Sequence, residues 1–446
     1  MNLTSAQLKT IASKLFLMRP TADIKLPVPK TTTGAGSLST KLDPIVDPAG
    51  TTPFSADWGI GVIDFTSDKN NPSIWLHNEG TPWRIGSTGK IAIVLAAAQL
   101  REDVRAVQGT NILAKPEDFD ELFATDALWQ LSPVFRTSQM ADKSTAPRIS
   151  TIFDFSKTPV DFQGPGLTDT AFGNIIERLA TKTGSSVLNA HLTWTLNTEF
   201  AFSERLWLAG TNSDNVGADS CLSEIGVAYV KAVQRAYGLF DGKTMHMLLN
   251  GPYSDMNGKA GVAKIPISSG SKVFYRNLQT AEMHDVTDAM KVGKAFTDQS
   301  SWEPGSTAAL AAYMIAFVQK KFASLSDPPK SANDAFATIE ANLSHGDVPR
   351  ATSSNIANGV AKVAKVNKQL SKIGLLGPPE GEKAALNTEF AYLETQQNSA
   401  PLKPRKYGVV VTGITDLLKS DGTIDRAADD LTEALGKAIH KALVGP

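Results

Sequence analysis

Strand-like patterning lies near the two ends of this 446-residue chain and almost nowhere between. DWGIGVIDF, ending at Phe65, and SIWLHN flank a turn-rich SDKNNP, which is the pattern of a hairpin. Strand character returns only in KIGLLG from Lys372, NTEFAYLET from Asn387 and KYGVVVTGI from Lys406. From about residue 100 to 350 the periodic segments are helical, among them TAFGNIIERLATKTG, SEIGVAYVKAVQRAYG and STAALAAYMIAFVQKKF. Residues 5 to 18 place Leu8, Ile11, Leu15 and Phe16 at helical spacing, and a closing amphipathic helix carries Ala427, Leu431, Leu435, Ile439 and Leu443. The economical arrangement is an α+β fold, one antiparallel sheet assembled from both ends, flanked by the terminal helices, with an all-helical lobe inserted. The expected divisions are 1–85 for the N-terminal part of the α/β lobe (helix, loop, hairpin), 86–350 for the inserted lobe and 351–446 for the C-terminal part. The site would lie in the crevice between the lobes.

Charge narrows the partners. The 44 Lys and Arg nearly cancel the 45 Asp and Glu, and neither sign gathers into a run, so no footprint for nucleic acid or an anionic membrane is present. A small molecule or short peptide is the expected partner. Cys221 is the only cysteine, which excludes an internal disulfide and any multi-cysteine metal site. No cofactor or metal is expected, because the histidines never form a His-Glu-x-x-His helix and Gly59 and Gly61 lack the third glycine of a dinucleotide loop. No Gly-x-Ser-x-Gly elbow occurs either. No segment approaches a membrane-spanning length, and MNLTSAQLKTIASKLFLMRP has no apolar core followed by a cleavage site. The chain as given therefore reads as soluble and leaderless, cytoplasmic by default.

One constellation carries chemistry. PWRIGSTGK runs directly into IAIVLAAAQLRE, an apolar stretch free of Gly and Pro, so Ser87 opens a buried helix just after a hairpin. Ser87 and Lys90 form Ser-x-x-Lys, and helical spacing puts them on one face, where a neutral amine can take the serine proton. The motif is weak alone, and Ser269-Gly270-Ser271-Lys272 repeats it among Gly, Ser and Pro with no helix behind it. Ser213-Asp214-Asn215 follows in the order of a signature that joins Ser-x-x-Lys to Ser-Asp-Asn. Ser213 can relay a proton and the Asn215 amide can hold the lysine and a substrate carbonyl, although the tripeptide also suits a helix cap. Lys372-Ile373-Gly374 stands where a Lys-Thr/Ser-Gly strand belongs, its cation suited to an anionic group and its glycine to close approach. Ile373 lacks the hydroxyl that would bond a substrate carboxylate. Tyr275-Arg276-Asn277 is an alternative middle motif.

With these blocks the chain resembles the serine β-lactamases and penicillin-binding D-alanyl peptidases, closest in order of elements to the class A β-lactamase type. The resemblance rests on DWGIGVIDF, PWRIGSTGKIAIVLAAA, SDNVGADSCLSEIG, KIGLLG and KYGVVVTGI, and extends over most of the chain. It implies a two-lobed serine hydrolase that forms and then hydrolyses an acyl-serine, acting on a β-lactam or a related amide or ester. Ser87 would be the nucleophile, Lys90 its base partner and Ser213 the relay, with Asn215, Lys372 and Gly374 on the substrate. The backbone amides of Ser87 and Leu375 would form the oxyanion hole. A periplasmic or secreted location would follow from the family. A D-alanyl peptidase, a carboxylesterase of the same fold and a catalytically degraded sensor module are the alternatives. The loop glutamate that drives deacylation in this family has no clear counterpart; Glu282 and Glu303 are the candidates.

Overall fold

The computed structural model describes residues 3–34, 37–46, 58–134, 146–166, 169–187, 190–193, 195–241, 243–249, 253, 264–269, 272–277, 304–322, 335–344, 354–376, 384–397, 404–417 and 427–444. In chain order the described strands are β1 (Gly59–Asp64), β2 (Ser73–His77), β3 (Trp83–Arg84), β4 (Phe153–Asp154), β5 (Asp161–Phe162), β6 (Lys264–Ser269), β7 (Lys272–Asn277), β8 (Pro304–Gly305), β9 (Ala364–Leu376), β10 (Ala384–Gln397) and β11 (Pro404–Leu417). Five of them form one antiparallel sheet in the order β2-β1-β11-β10-β9. The two ends of the chain meet at its centre, where Gly59 of β1 lies opposite Thr412 of β11 and Asp64 opposite Tyr407. The long middle carries most of the described helices together with three short ribbons, β3 with β8, β4 with β5 and β6 with β7.

Alternation along the strands divides the apolar residues into two layers. On β1 and β11, Ile60, Val62, Val409 and Val411 join one core, whereas Ile63 and Val410 join the other. The first core is closed by Ile356 and Val360 of the helix Asn355–Ala361 and by Leu435, Ile439 and Leu443 of the helix Ala427–Val444. The second is closed by the helices Ile91–Gln108 and Thr307–Gln319. Burying one such aliphatic side chain contributes about 1.5–3 kcal/mol. Glycine sets the spacing of the inner layer: a methyl group on Gly408 of β11 would overlap the sulfur of Met314 and stand 3.1 Å from its terminal methyl.

The expected helix over residues 5–18 ends at Ala12, and a 3-10 turn follows at Phe16–Met18. The cause is local competition for one donor. In a continued helix the Phe16 N–H would bond to the carbonyl of Ala12; instead it donates to Asp103 Oδ1 at 3.0 Å. Asp103 lies within the helix Ile91–Gln108 and also accepts from Tyr229 Oη at 3.0 Å and Gln99 Nε2 at 3.1 Å. Burial pushes its carboxyl up to about 7. This polar knot ties the N-terminal segment to the helix that begins after Ser87. Among the described residues no helix is long and apolar enough to cross a membrane.

Candidate active site

Ser87 stands in a 3-10 turn, Gly86–Lys90, that runs without a break into the helix Ile91–Gln108. Gly86 has φ 50°, a left-handed conformation that glycine adopts without strain, and it makes the corner between β3 and the turn. Residues three apart eclipse in a 3-10 turn, so Ser87 and Lys90 share one side of it. Ser87 is half-buried, and Lys90 is fully buried.

Lys90 Nζ donates to the carbonyl oxygen of Ser213 and to Asn215 Oδ1, both at 2.6 Å. Lys90 Nζ also lies over the Tyr253 ring, 4.6 Å from its centroid. Ser213 is in the left-handed region at φ 57°, unusual for a residue with a Cβ. Asp214 holds it there from the next position. As the N-cap of the helix Asn215–Ile225, Asp214 accepts from Gly217 N through Oδ1, and its Oδ2 accepts from Leu192 N, both at 2.7 Å. His191 Nδ1 lies 3.4 Å from that same Oδ2, and this partner raises the pKa of the imidazole. Capping and chemistry, alternatives in the sequence, thus divide among neighbours: Asp214 caps, while Ser213 and Asn215 reach Lys90.

Lys372 enters from β9 and donates to Ser213 Oγ at 2.7 Å and to the Ile373 carbonyl at 3.3 Å. Burial first, and the nearby Lys90 charge second, push its pKa well below the ordinary lysine value. Gly374 has no room for a side chain, because a methyl there would overlap the Ile85 carbonyl oxygen and stand 2.8 Å from Thr88 N. The Thr88 hydroxyl lies 3.3 Å from the carbonyl oxygen of Thr388, the residue opposite Gly374 on β10. Leu375 follows, opposite Asn387. Alternation sends Ile373 to the other side of the strand from Lys372 and Gly374, and its cross-strand neighbour there is Glu389. The buried Glu389 carboxylate accepts from Ser354 Oγ at 2.8 Å, Ile356 N at 3.0 Å and Asn355 N at 3.1 Å, and burial pushes it up to about 7.

Ser213 thus joins three segments far apart in the chain, with Lys90 on its carbonyl and Lys372 on its hydroxyl, while Gly374 seats β9 against the Ser87 turn. Ser269 and Lys272 face each other across the β6–β7 hairpin, and Tyr275 and Asn277 also lie on β7. Glu282 and Glu303 lie outside the described residues. Sequence reasoning missed Tyr253, His191 and Asp219, which accepts from Tyr253 N at 2.5 Å. None of the three carries a motif. Among the described residues no group of three or more His, Cys, Asp or Glu could hold a metal ion.

No family model matches the chain, and no curated protein sequence matches it. Solved structures do show similarity. The chain is 14% identical to an ancestral class A β-lactamase (GNCA), with 91% of this chain and 98% of that one covered and a TM-score of 0.41. It is 13% identical to PBP-A, with 94% and 99% covered and a TM-score of 0.43. For a β-lactamase from Burkholderia ambifaria the identity is 12%, the coverage 87% and 95%, and the TM-score 0.39.

Proposed function

We propose that the chain is a serine hydrolase that works through an acyl-serine intermediate on a β-lactam or a related amide or ester. Ser87 is the nucleophile, Lys90 its base, Ser213 the proton relay, and Lys372 the amine that orients Ser213. The observation that carries this reading is the placement of two buried lysines on one residue, Lys90 on the Ser213 carbonyl and Lys372 on the Ser213 hydroxyl. Burying two amines in contact with the same residue is unfavourable for folding, and such arrangements concentrate at sites that move protons.

Hydrogen-bond capacity assigns the roles. A neutral Lys90 amine has two N–H donors, and Ser213 O and Asn215 Oδ1 take both. In this reading its lone pair takes the Ser87 hydroxyl proton. Ser87 Oγ then attacks the substrate carbonyl, and the resulting oxyanion is received by the backbone amides of Ser87 and Leu375. Because Ser213 Oγ accepts from Lys372, its own proton is directed elsewhere, toward the leaving nitrogen or oxygen. Transfer of that proton breaks the scissile bond and leaves the acyl-serine, which water hydrolyses. Lys90 returns its proton to Ser213. A positioned acid or base of this kind typically contributes about a hundredfold to ten-thousandfold.

The test is intact mass after incubation with a fluorophosphonate, a penicillin and a chromogenic carboxylic ester. Wild type is expected to gain one adduct at Ser87 and Ser87→Ala none. An adduct at Ser269, or no adduct with any probe, overturns the proposal.

A further inference from the structure

We propose that Tyr253 is a positioning residue for Lys90, its ring lying against the amine and setting the pH range in which Ser87 is acylated; this rests on the hydrolase reading above. Lys90 Nζ has Ser213 O and Asn215 Oδ1 at 2.6 Å and the Tyr253 centroid at 4.6 Å. Tyr253 is 2% exposed, and the bond from its N–H to Asp219 Oδ1 at 2.5 Å fixes its backbone. Asp219 lies one helical turn after Asn215 on the helix Asn215–Ile225. One helix therefore supplies both an acceptor for Lys90 and the anchor for the ring that covers it.

The ring acts in a definite direction. An aromatic face attracts the ammonium form more than the neutral amine, so it holds the proton on Lys90 to higher pH. Charged groups reach Lys90 from the elements around it. Lys372 of β9 and His191 each sense its charge, and both oppose a second positive charge there. Asp214 caps the helix Asn215–Ile225 and Asp219 lies in its second turn, the first engaged by His191 and Leu192, the second by Tyr253.

The experiment measures the rate of Ser87 acylation by a neutral chromogenic ester as a function of pH, with a melting curve for each variant. In Tyr253→Leu the rising limb of the profile is expected to move to lower pH by about half a unit to one and a half units, the displacement equivalent to loss of one cation–π contact. Tyr253→Phe keeps the ring and should leave the limb where wild type has it. Asp219→Ala should move it in the same direction by less. Tyr253→Met, which fills the space without a ring, repeats the test should the leucine variant lose its melting transition. Acylation of Ser87 with superimposable profiles in wild type, Tyr253→Leu and Tyr253→Met overturns the positioning role alone. Absence of Ser87 acylation in wild type removes the hydrolase reading and the role together.

Discussion

Gly374 and Ile85 approach so closely that a methyl group on Gly374 would overlap the Ile85 carbonyl oxygen while standing 2.8 Å from both the amide nitrogen and the hydroxyl oxygen of Thr88. The obstacle is backbone on both sides, in a turn that leads straight into a buried helix, so neither element can yield cheaply. Gly374→Ala is therefore expected to push β9 away from the Ser87 turn, costing about 1–3 kcal/mol of stability. Reactivity should fall further than stability, because displacement of a reacting group by about 1 Å is worth about a hundredfold. Fluorophosphonate labelling rates beside a denaturant titration measure the two. Labelling at the wild-type rate would show that the turn and the strand are not coupled.

Ser213 pays for its position in backbone strain. At φ 57° it occupies a region that disfavours residues bearing a Cβ by about 1–2 kcal/mol. Ser213→Gly and Ser213→Ala both remove the hydroxyl that receives Lys372, so their difference isolates the backbone. The glycine variant is expected to be the more stable by about 1 kcal/mol, after allowance for its greater entropy when unfolded. Both should acylate at least about a hundredfold more slowly than wild type. Equal stability of the two would mean that the left-handed turn is relaxed rather than held by Asp214.

Ile373 reads differently in the sequence and in the fold. By motif it lacks a hydroxyl that would bond a substrate carboxylate, a loss of about 1.5–3 kcal/mol. By alternation it points away from Lys372 and lies across from the Glu389 carboxyl. A hydroxyl there would meet a group unsuited to a second carboxylate. Ile373→Thr is accordingly expected to change acylation by a penicillin and by a neutral ester in the same proportion, within about twofold. A tenfold selective gain for the penicillin, about 1.4 kcal/mol, would place position 373 against the substrate.

What was legible in the chain follows from the range of the signals. Alternation in DWGIGVIDF and KYGVVVTGI is local, and these segments are β1 and β11, paired to each other. The unbroken IAIVLAAAQL likewise announced the helix behind Ser87. Strands of two residues, such as β3 and β8, have no room to show a period, and β6 and β7 carry too little alternation among Ser, Pro and Lys. The end of the first helix at Ala12 depends on Asp103, a residue far along the chain that captures the Phe16 N–H. Tyr253 was illegible for the same reason: it carries no motif, and only the folded backbone brings its ring to Lys90.

Two buried carboxyls give the fold a pH dependence of its own. Asp103 and Glu389 are each pushed up to about 7 by burial, against hydrogen bonds that act the other way. Unfolded, both return to the ordinary carboxylate range near 4. Between about pH 4 and 7 the folded chain therefore binds more protons at these two positions than the unfolded chain does. Stability from this source is fully present below about pH 4 and is lost as pH rises through 7, at up to about 1.4 kcal/mol per pH unit for each group. Asp103→Asn separates the contribution of one group. The amide keeps an oxygen for Phe16 N–H and Gln99 Nε2 and turns its N–H toward the Tyr229 hydroxyl oxygen, so the knot survives without a titrating group. Urea denaturation at pH 5, 6, 7 and 8 is expected to show the wild-type slope reduced by up to one proton in Asp103→Asn, with the variant gaining most at pH 8. An unchanged slope would mean that Asp103 stays ionised in the folded chain and that its three donors outweigh its burial.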